Sequence, residues 1–396
     1  MLYMGDDLHG KQMTVEVRNE AGDVVVRRQV SMRPAKVEEF LEQLHQIGDG
    51  KYVVLMEVCG FHDWLVRRLK ADPYCQGVFL IQPEQASKQK TDRRDASRLS
   101  EILWVNRERL PAGQSVQGVR CVYQPTEEER QDRQITSQRQ RLGRRRTQTI
   151  NQMRHILRRN NLEWERPTKG FQTQKVKRWL KTLALEETER LEMDQLLEQW
   201  ELWDRQIAEC EERMAQRFSR SVAAQLLATI VGVSCYMALA IASRIGDVRR
   251  FPRGRSLANF FGLTPGSRSS GERQRQGSIT KQGSQLVRFL LGQLVVHVLR
   301  KDAKLRGWYK GIKKRRGSKI ARVAVMRRLT GILWRMLSKQ EAYRYEGVTE
   351  PRRADPASPS EACVLPDRAA LLAASPASAA SQRSAGQVPV PHLCSE

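Results

Sequence analysis

The sequence predicts an α/β N-terminal domain, then long coiled-coil helices, then an all-α C-terminal unit. Three observations predict it. Residues 1 to about 110 alternate between strand-like and helix-like runs, with three strand candidates ahead of the first helix. Residues 125–220 are polar, rich in Gln and Arg, and nearly free of glycine and strand signals. Residues 222–345 return to apolar runs at helical spacing. The expected boundaries are 1–124, 125–220 and 221–346, with a tail at 347–396.

In the first region, Leu2–Asp7 is a short strand candidate. Gln12–Arg18 alternates, placing Met13, Val15 and Val17 on one face. Ala21-Gly22-Asp23 marks a turn before a third strand, Val24–Val30. Val37–Ile47 has helical spacing, Tyr52–Val58 reads as a buried strand, Phe61–Leu69 as a helix and Val78–Ile81 as a strand. A helix follows from about Asp92 to Trp104.

The middle region carries two sparse apolar stripes. One runs through Ile135, Leu142, Ile150, Met153 and Ile156; the other through Leu196, Leu197, Trp200, Ile207 and Met214. Two helices broken around Glu165-Arg166-Pro167, paired as an antiparallel coiled coil, fit this pattern. In the third region, Val231-Gly232-Val233 interrupts the apolar run Leu226–Ile245. A phosphate-holding helix-hairpin-helix and an ordinary tight turn both give that pattern. Pro351–Glu396 holds 11 Ala, 7 Pro and 7 Ser in 46 residues without periodicity, so disorder is expected there.

Lys plus Arg is 69 and Asp plus Glu 44, a net charge of +25. An excess this large points to a polyanionic partner, nucleic acid first. No run of about 18 apolar residues exists, so no transmembrane helix and no membrane partner are expected, and the default compartment is cytosolic. Seven scattered cysteines with no CxxC pair argue against structural zinc and against a disulfide framework; reduced thiols are expected. Between Arg133 and Arg159 there are nine arginines and no acid, and Arg144-Arg145-Arg146 is the densest part. A run of one sign is read as phosphate-contacting. Lys301–Arg353 carries 17 Lys and Arg against 4 acids, including Lys313-Lys314-Arg315-Arg316 beside Trp308 and Tyr309. Basic groups interleaved with aromatics suit nucleic acid.

Four carboxylates are the candidates for chemistry. Asp7 ends the first strand, and acids also begin many turns. Glu57 lies in a strand otherwise fit for burial, where a charge needs a partner or a metal. Asp92 and Asp95 are three apart, on one face of a helix near its start. An N-cap with a favourable first-turn acid gives the same spacing. An oxygen-rich set suits divalent ions, and two magnesium ions suit phosphodiester chemistry.

The order Asp, Glu, Asp, Asp on strands and a following helix resembles the RNase H-like fold, in its RuvC-like branch. More specifically, the chain resembles the DEDD transposases of bacterial insertion sequences, the bridge-RNA-guided recombinases. Tyr3-Met4-Gly5-Asp6-Asp7-Leu8-His9 is similar to the family's opening strand. Met56-Glu57-Val58-Cys59-Gly60 with Trp64-Leu65 is similar to its Glu segment, and Lys90-Thr91-Asp92-Arg93-Arg94-Asp95-Ala96 to its Lys-Thr-Asp-x-x-Asp-Ala signature. Phe261-Gly262-Leu263-Thr264-Pro265, Ser269-Ser270-Gly271, Ile279-Thr280-Lys281-Gln282-Gly283 and Leu286-Val287-Arg288 follow its C-terminal domain. The likeness covers about residues 1–345. Asp6 stands where the family usually has an apolar residue; Asp7 is assigned because its interval to Leu8-His9 matches.

The resemblance implies a Mg2+-dependent transposase that cuts and rejoins DNA in the bacterial cytoplasm, associated with the nucleoid. Asp7, Glu57, Asp92 and Asp95 would hold two Mg2+ ions, and Ser270 would attack the phosphodiester. Arg268, Arg273, Arg275 and Lys281 flank that serine and, with Arg144, Arg145, Arg146, Lys313, Lys314, Arg315 and Arg316, are the expected nucleic-acid contacts. A structured guide RNA and a homo-oligomer, dimer or tetramer, are implied as partners besides DNA. Two other readings share these residues: a Holliday-junction-type nuclease using the four acids alone, and a non-catalytic nucleic-acid-binding protein.

Overall fold

The computed structural model describes residues 1–83, 92–270 and 273–344, without the side chains of 83, 92, 93, 267–270 and 273–276. The chain divides into two compact units, Met1–Pro125 and the residues from Thr126 onward.

The first unit holds β1 (Leu2–Leu8), β2 (Gln12–Arg18), β3 (Val24–Ser31), α1 (Pro34–His45), β4 (Tyr52–Glu57), α2 (Asp63–Lys70), β5 (Cys75–Pro83), α3 (Asp92–Val105) and β6 (Val119–Cys121). One sheet orders them β3-β2-β1-β4-β5-β6. β1, β4 and β5 are parallel, while β2, β3 and β6 run antiparallel to their neighbours. Three short antiparallel strands come first because the turn at Gly22 needs few residues, whereas each parallel return needs a helix. Period-2 alternation gives the sheet two apolar faces. Met4, Met13, Val15, Tyr52, Val54 and Met56 pack with Phe40 and Leu44 of α1 and Leu65 and Leu69 of α2. On the opposite face Tyr3, Leu55 and Ile81 pack with Leu99 and Leu103 of α3. β6 has no counterpart among the sequence expectations; three residues are too few to show alternation.

The second unit begins with α4 (Glu127–Arg159), started by a capping box between Thr126 and Glu129. α5 (Gln174–Thr182) and α6 (Glu187–Phe218) follow. α4 and α6 are antiparallel: Asp132 pairs with Arg217, Arg139 with Glu211 at 2.7 Å, Arg146 with Asp204 at 3.1 Å and Arg159 with Glu189 at 2.6 Å. The break between them is longer than the sequence suggested and includes α5, whose Val176 and Leu180 pack with Trp200.

Next come α7 (Val222–Ala228), α8 (Cys235–Ile245), α9 (Gly254–Phe260), β7 (Pro265–Ser270), β8 (Arg273–Ile279), α10 (Gln285–Lys301) and α11 (Ala303–Lys339). Their common core includes Ile241, Phe261, Leu291, Leu294, Val325 and Leu329. The expectation of an all-α unit is corrected by the β7–β8 hairpin. Its residues are almost all polar, so apolar alternation was missing; main-chain hydrogen bonds hold the ladder without it. Gly232 turns the chain between α7 and α8 at φ +89°, and a Cβ there would lie 2.4 Å from the Cβ of His297. Cys59, Cys75, Cys121 and Cys210 are free thiols. No helix among the described residues is long and apolar enough to cross a membrane. The tail at 347–396 lies outside the described residues.

Candidate active site

Strand parity decides which acids meet. Leu2, Met4 and Leu8 of β1 lie in the core shared with α1 and α2, and Asp6 falls on that face with them. Tyr3, Gly5 and Asp7 face α3. Gly5 lies directly beneath the helix: a Cβ there would come within 2.2 Å of the Ser100 nitrogen and 2.4 Å of the Ala96 oxygen. On β4, Leu55 faces α3, and Glu57 shares its parity. The parallel ladder pairs Gly5 with Leu55 and Asp6 with Met56, so Asp7 and Glu57 come next on adjacent strands, about 4.8 Å apart.

α3 runs over this face in the opposite sense. Its far end is held where the Trp104 indole donates to the Glu20 carbonyl at 3.1 Å, and Ala96 and Ser100 lie over Gly5. Its first turn, with Asp92 and half-buried Asp95, is thereby carried toward the ends of β1 and β4 that bear Asp7 and Glu57. Asp92 is placed by its backbone alone, since its side chain lies outside the described residues. Among the described residues no three His, Cys, Asp or Glu side chains form a metal-holding group.

Asp7 is largely covered, with 14% of its side chain exposed, and His9 Nε2 lies 3.0 Å from its carboxylate. Thr14 is its cross-strand partner on β2; the Thr14 hydroxyl is buried with no hydrogen-bond partner among the described residues. Asp6 has a different environment. It is fully buried, both its oxygens lack hydrogen-bond partners among the described residues, and burial followed by the charge of Asp7 pushes its carboxyl up to about 8. Asp6 therefore remains neutral near pH 7.

A fifth acid was missed in the sequence. Glu16 of β2 is fully buried and sits opposite Gly5. It accepts from Ser97 at 3.0 Å, Ser100 at 2.8 Å, Arg18 at 3.0 Å and Arg27 at 2.7 Å. The signal was present in Val15-Glu16-Val17, an acid inside a strand fit for burial, the same signal that singled out Glu57.

The other expected residues lie in the second unit. Ser270 ends β7, where the ladder pairs it with Arg273 and pairs Arg268 with Arg275; these side chains are outside the described residues. Lys281 is exposed. The arginine run of α4 is largely answered within the protein. Arg146 is held by Asp204, Arg139 by Glu211 and Arg159 by Glu189, while Arg145 stacks on Trp203 at 5.3 Å and Arg144 is exposed. Lys313, Lys314, Arg315 and Arg316 are all exposed, immediately before a break in α11 at Gly317 (φ +81°, ψ +166°).

Residues 4–161 match the DEDD transposase family of IS110 type, described as "Transposase", and residues 224–310 match the "Transposase IS116/IS110/IS902 family". Together these account for more than half of the chain. The chain belongs to the IS110/IS116 family of transposases. It is 28% identical to the "Transposase for insertion sequence element IS1111A" of Coxiella burnetii over 350 residues, 82% of this chain and 86% of that protein. It is also 28% identical to the "Probable family 20 transposase" of Pseudomonas aeruginosa over 353 residues, 86% of this chain and 98% of that one. For this transposase, the DEDD domain implies an RNase H-like fold, and the mixed sheet carrying Asp7 and Glu57 is such a sheet.

Proposed function

We propose that this transposase cuts and rejoins DNA strands to move an insertion sequence, with Asp7, Glu57, Asp92 and Asp95 as its metal-holding acids and Ser270 as its nucleophile. The observation that carries the reading is the pairing of Asp7 and Glu57 on adjacent parallel strands beneath the helix that begins with Asp92 and includes Asp95. The donor set is all hard oxygen, and the Thr14 hydroxyl beside Asp7, without a partner among the described residues, adds another oxygen. That chemistry fits Mg2+, which when bound activates the attacking oxygen and stabilises the leaving one. The chain's own residues do the rest. The two strands fix Asp7 and Glu57, and the basic residues Arg268, Arg273, Arg275 and Lys281 neutralise phosphate around Ser270. A serine hydroxyl needs activation, which a carboxylate or a metal supplies.

The rest is supported by resemblance to that family and by the composition of each region. The N-terminal domain is RuvC-like and ends near residue 124; residues 125–220 act as a coiled-coil arm that helps join protomers; residues 221–346 are the serine-bearing domain. A structured guide RNA pairs with donor and target DNA, so base choice is left to pairing, as in other RNA-guided systems. The protein works as an oligomer at the nucleoid.

The test is incubation of the purified chain with Mg2+, the element's transcript and a supercoiled plasmid carrying the element ends. Asp7→Asn or Glu57→Gln is expected to lower cleavage more than about a hundredfold, beyond what loss of an outer partner does, while leaving salt-sensitive binding intact. Ser270→Ala is expected to abolish the covalent protein–DNA adduct seen on a denaturing gel. Cleavage without any adduct in the parent chain would instead identify a four-acid nuclease. Binding with no cleavage would identify a non-catalytic binder.

A further inference from the structure

We infer that Glu16 is a positioning residue for the catalytic acids: its buried carboxylate seats α3, and so sets where Asp92 and Asp95 stand relative to Asp7 and Glu57. The inference rests on the reading of those four acids as the active site. Three observations support it. Glu16 is fully buried in the middle of β2, a place where a carboxylate is costly unless every lone pair is engaged. Its two oxygens are divided between different elements. Oε1 accepts from Ser97 and Ser100 of α3 and from Arg18, and Oε2 accepts from Arg27 of β3, whose Nη2 lies 2.5 Å away. Finally, Glu16 is the ladder partner of Gly5, the residue whose missing side chain lets the helix backbone rest on β1.

The contact is local to the chemistry. Asp95 lies two residues before Ser97, and Asp7 lies two residues beyond Gly5 on the same face of β1. Apolar packing by Leu99 and Leu103 holds the helix against the sheet but is non-directional. A slip of one residue along the helix would carry Asp95 about 1.5 Å along the axis and about 100° around it, taking it off the face it shares with Asp7. Two hydroxyls of defined direction, three residues apart and closing on one carboxylate oxygen, fix both coordinates. Arg18 and Arg27 keep that carboxylate charged and aimed at the helix.

The test uses the full chain in three variants: Glu16→Ala, Glu16→Gln and Ser97→Ala with Ser100→Ala. Amide hydrogen exchange reports the seat, Mn2+ binding followed by electron paramagnetic resonance reports the acids, and thermal unfolding reports global stability. The serine pair is expected to speed exchange of the α3 amides about tenfold or more, with β1, β4 and the helices of the second unit unchanged, and to weaken Mn2+ binding about tenfold or more. Glu16→Ala does the same or more strongly, and Glu16→Gln, which keeps an acceptor for both serines, restores much of both. If Glu16→Ala fails to fold, the serine pair still decides. Unchanged α3 exchange in the folded serine variant overturns the inference. So does faster exchange with Mn2+ affinity unaltered, which would make Glu16 a stabilising residue only. A parent chain that binds no Mn2+ defeats the active-site reading and, with it, the positioning role, even where the exchange data show that Glu16 seats the helix.

Discussion

Asp6 and Asp7 are neighbours in sequence with opposite fates, because successive strand residues face opposite sides of the sheet. Asp7 reaches the face with α3, whereas Asp6 is enclosed by apolar side chains. The folded Asp6 carboxyl titrates at about 8 against an ordinary 3.8, so the unfolded chain releases its proton first. Stability is therefore full below pH 3.8 and falls as pH rises toward 8, by about 1.4 kcal/mol for each pH unit in that window. Asp6→Asn is expected to remove this slope in urea titrations at a series of pH values, and to stabilise the chain most at pH 8. Glu16 has the opposite sign. Burial raises its carboxyl, but bonds from Ser100, Arg27 and Ser97 outweigh that and lower it below its ordinary 4.5. Its contribution is present above pH 4.5 and is lost as pH falls through the lowered folded value. Gly5→Ala would place a methyl 2.2 Å from the Ser100 nitrogen, so α3 must lift. We expect a loss on the order of 3 kcal/mol in denaturant melts, together with loss of cleavage.

At the level of elements, the opposite charges of α4 and α6 are complementary rather than both solvent-directed. Arg139 with Glu211 and Arg159 with Glu189 pair the helices along their length. The acids that meet Arg139 and Arg159 are 72 and 30 residues away in sequence but opposite in space. Arg145 and Arg144 remain outward on α4. The break in α11 is different in kind. Gly317 has a left-handed φ of +81°, and a Cβ at this position would meet nothing within 4 Å among the described residues, so only backbone strain opposes a side chain there. Gly317→Ala is expected to favour a continuous helix, swing the segment bearing Lys313–Arg316 and weaken nucleic-acid binding several-fold, with the melting temperature changed by only a few degrees. Filter binding and calorimetry check the two halves of that expectation.

Across the whole molecule, a net charge of +25 makes nucleic-acid affinity strongly salt-dependent. Replacing Lys313, Lys314, Arg315 and Arg316 together with Ala should flatten the plot of log affinity against log salt by about 3 to 4, close to one per lost phosphate contact. The same change at Arg139, Arg146 and Arg159 should scarcely alter that slope and instead loosen the α4–α6 pair, because those charges are already met by acids.

The strand and helix pattern of the first unit, the long helices of the second, and the family with its candidate acids and serine were all legible along the chain. Those features are local: a period, a cap or a short run of residues contains all the information. Which side of the sheet receives α3 was not legible, and with it that Asp7 and Glu57 share a face while Asp6 is enclosed. Nor was the meeting of Glu16 with Ser97 and Ser100, 81 and 84 residues away, or the answering of Arg139, Arg146 and Arg159 by acids on another helix. Pairings of this kind arise only when distant elements pack, and no window along the chain contains both partners.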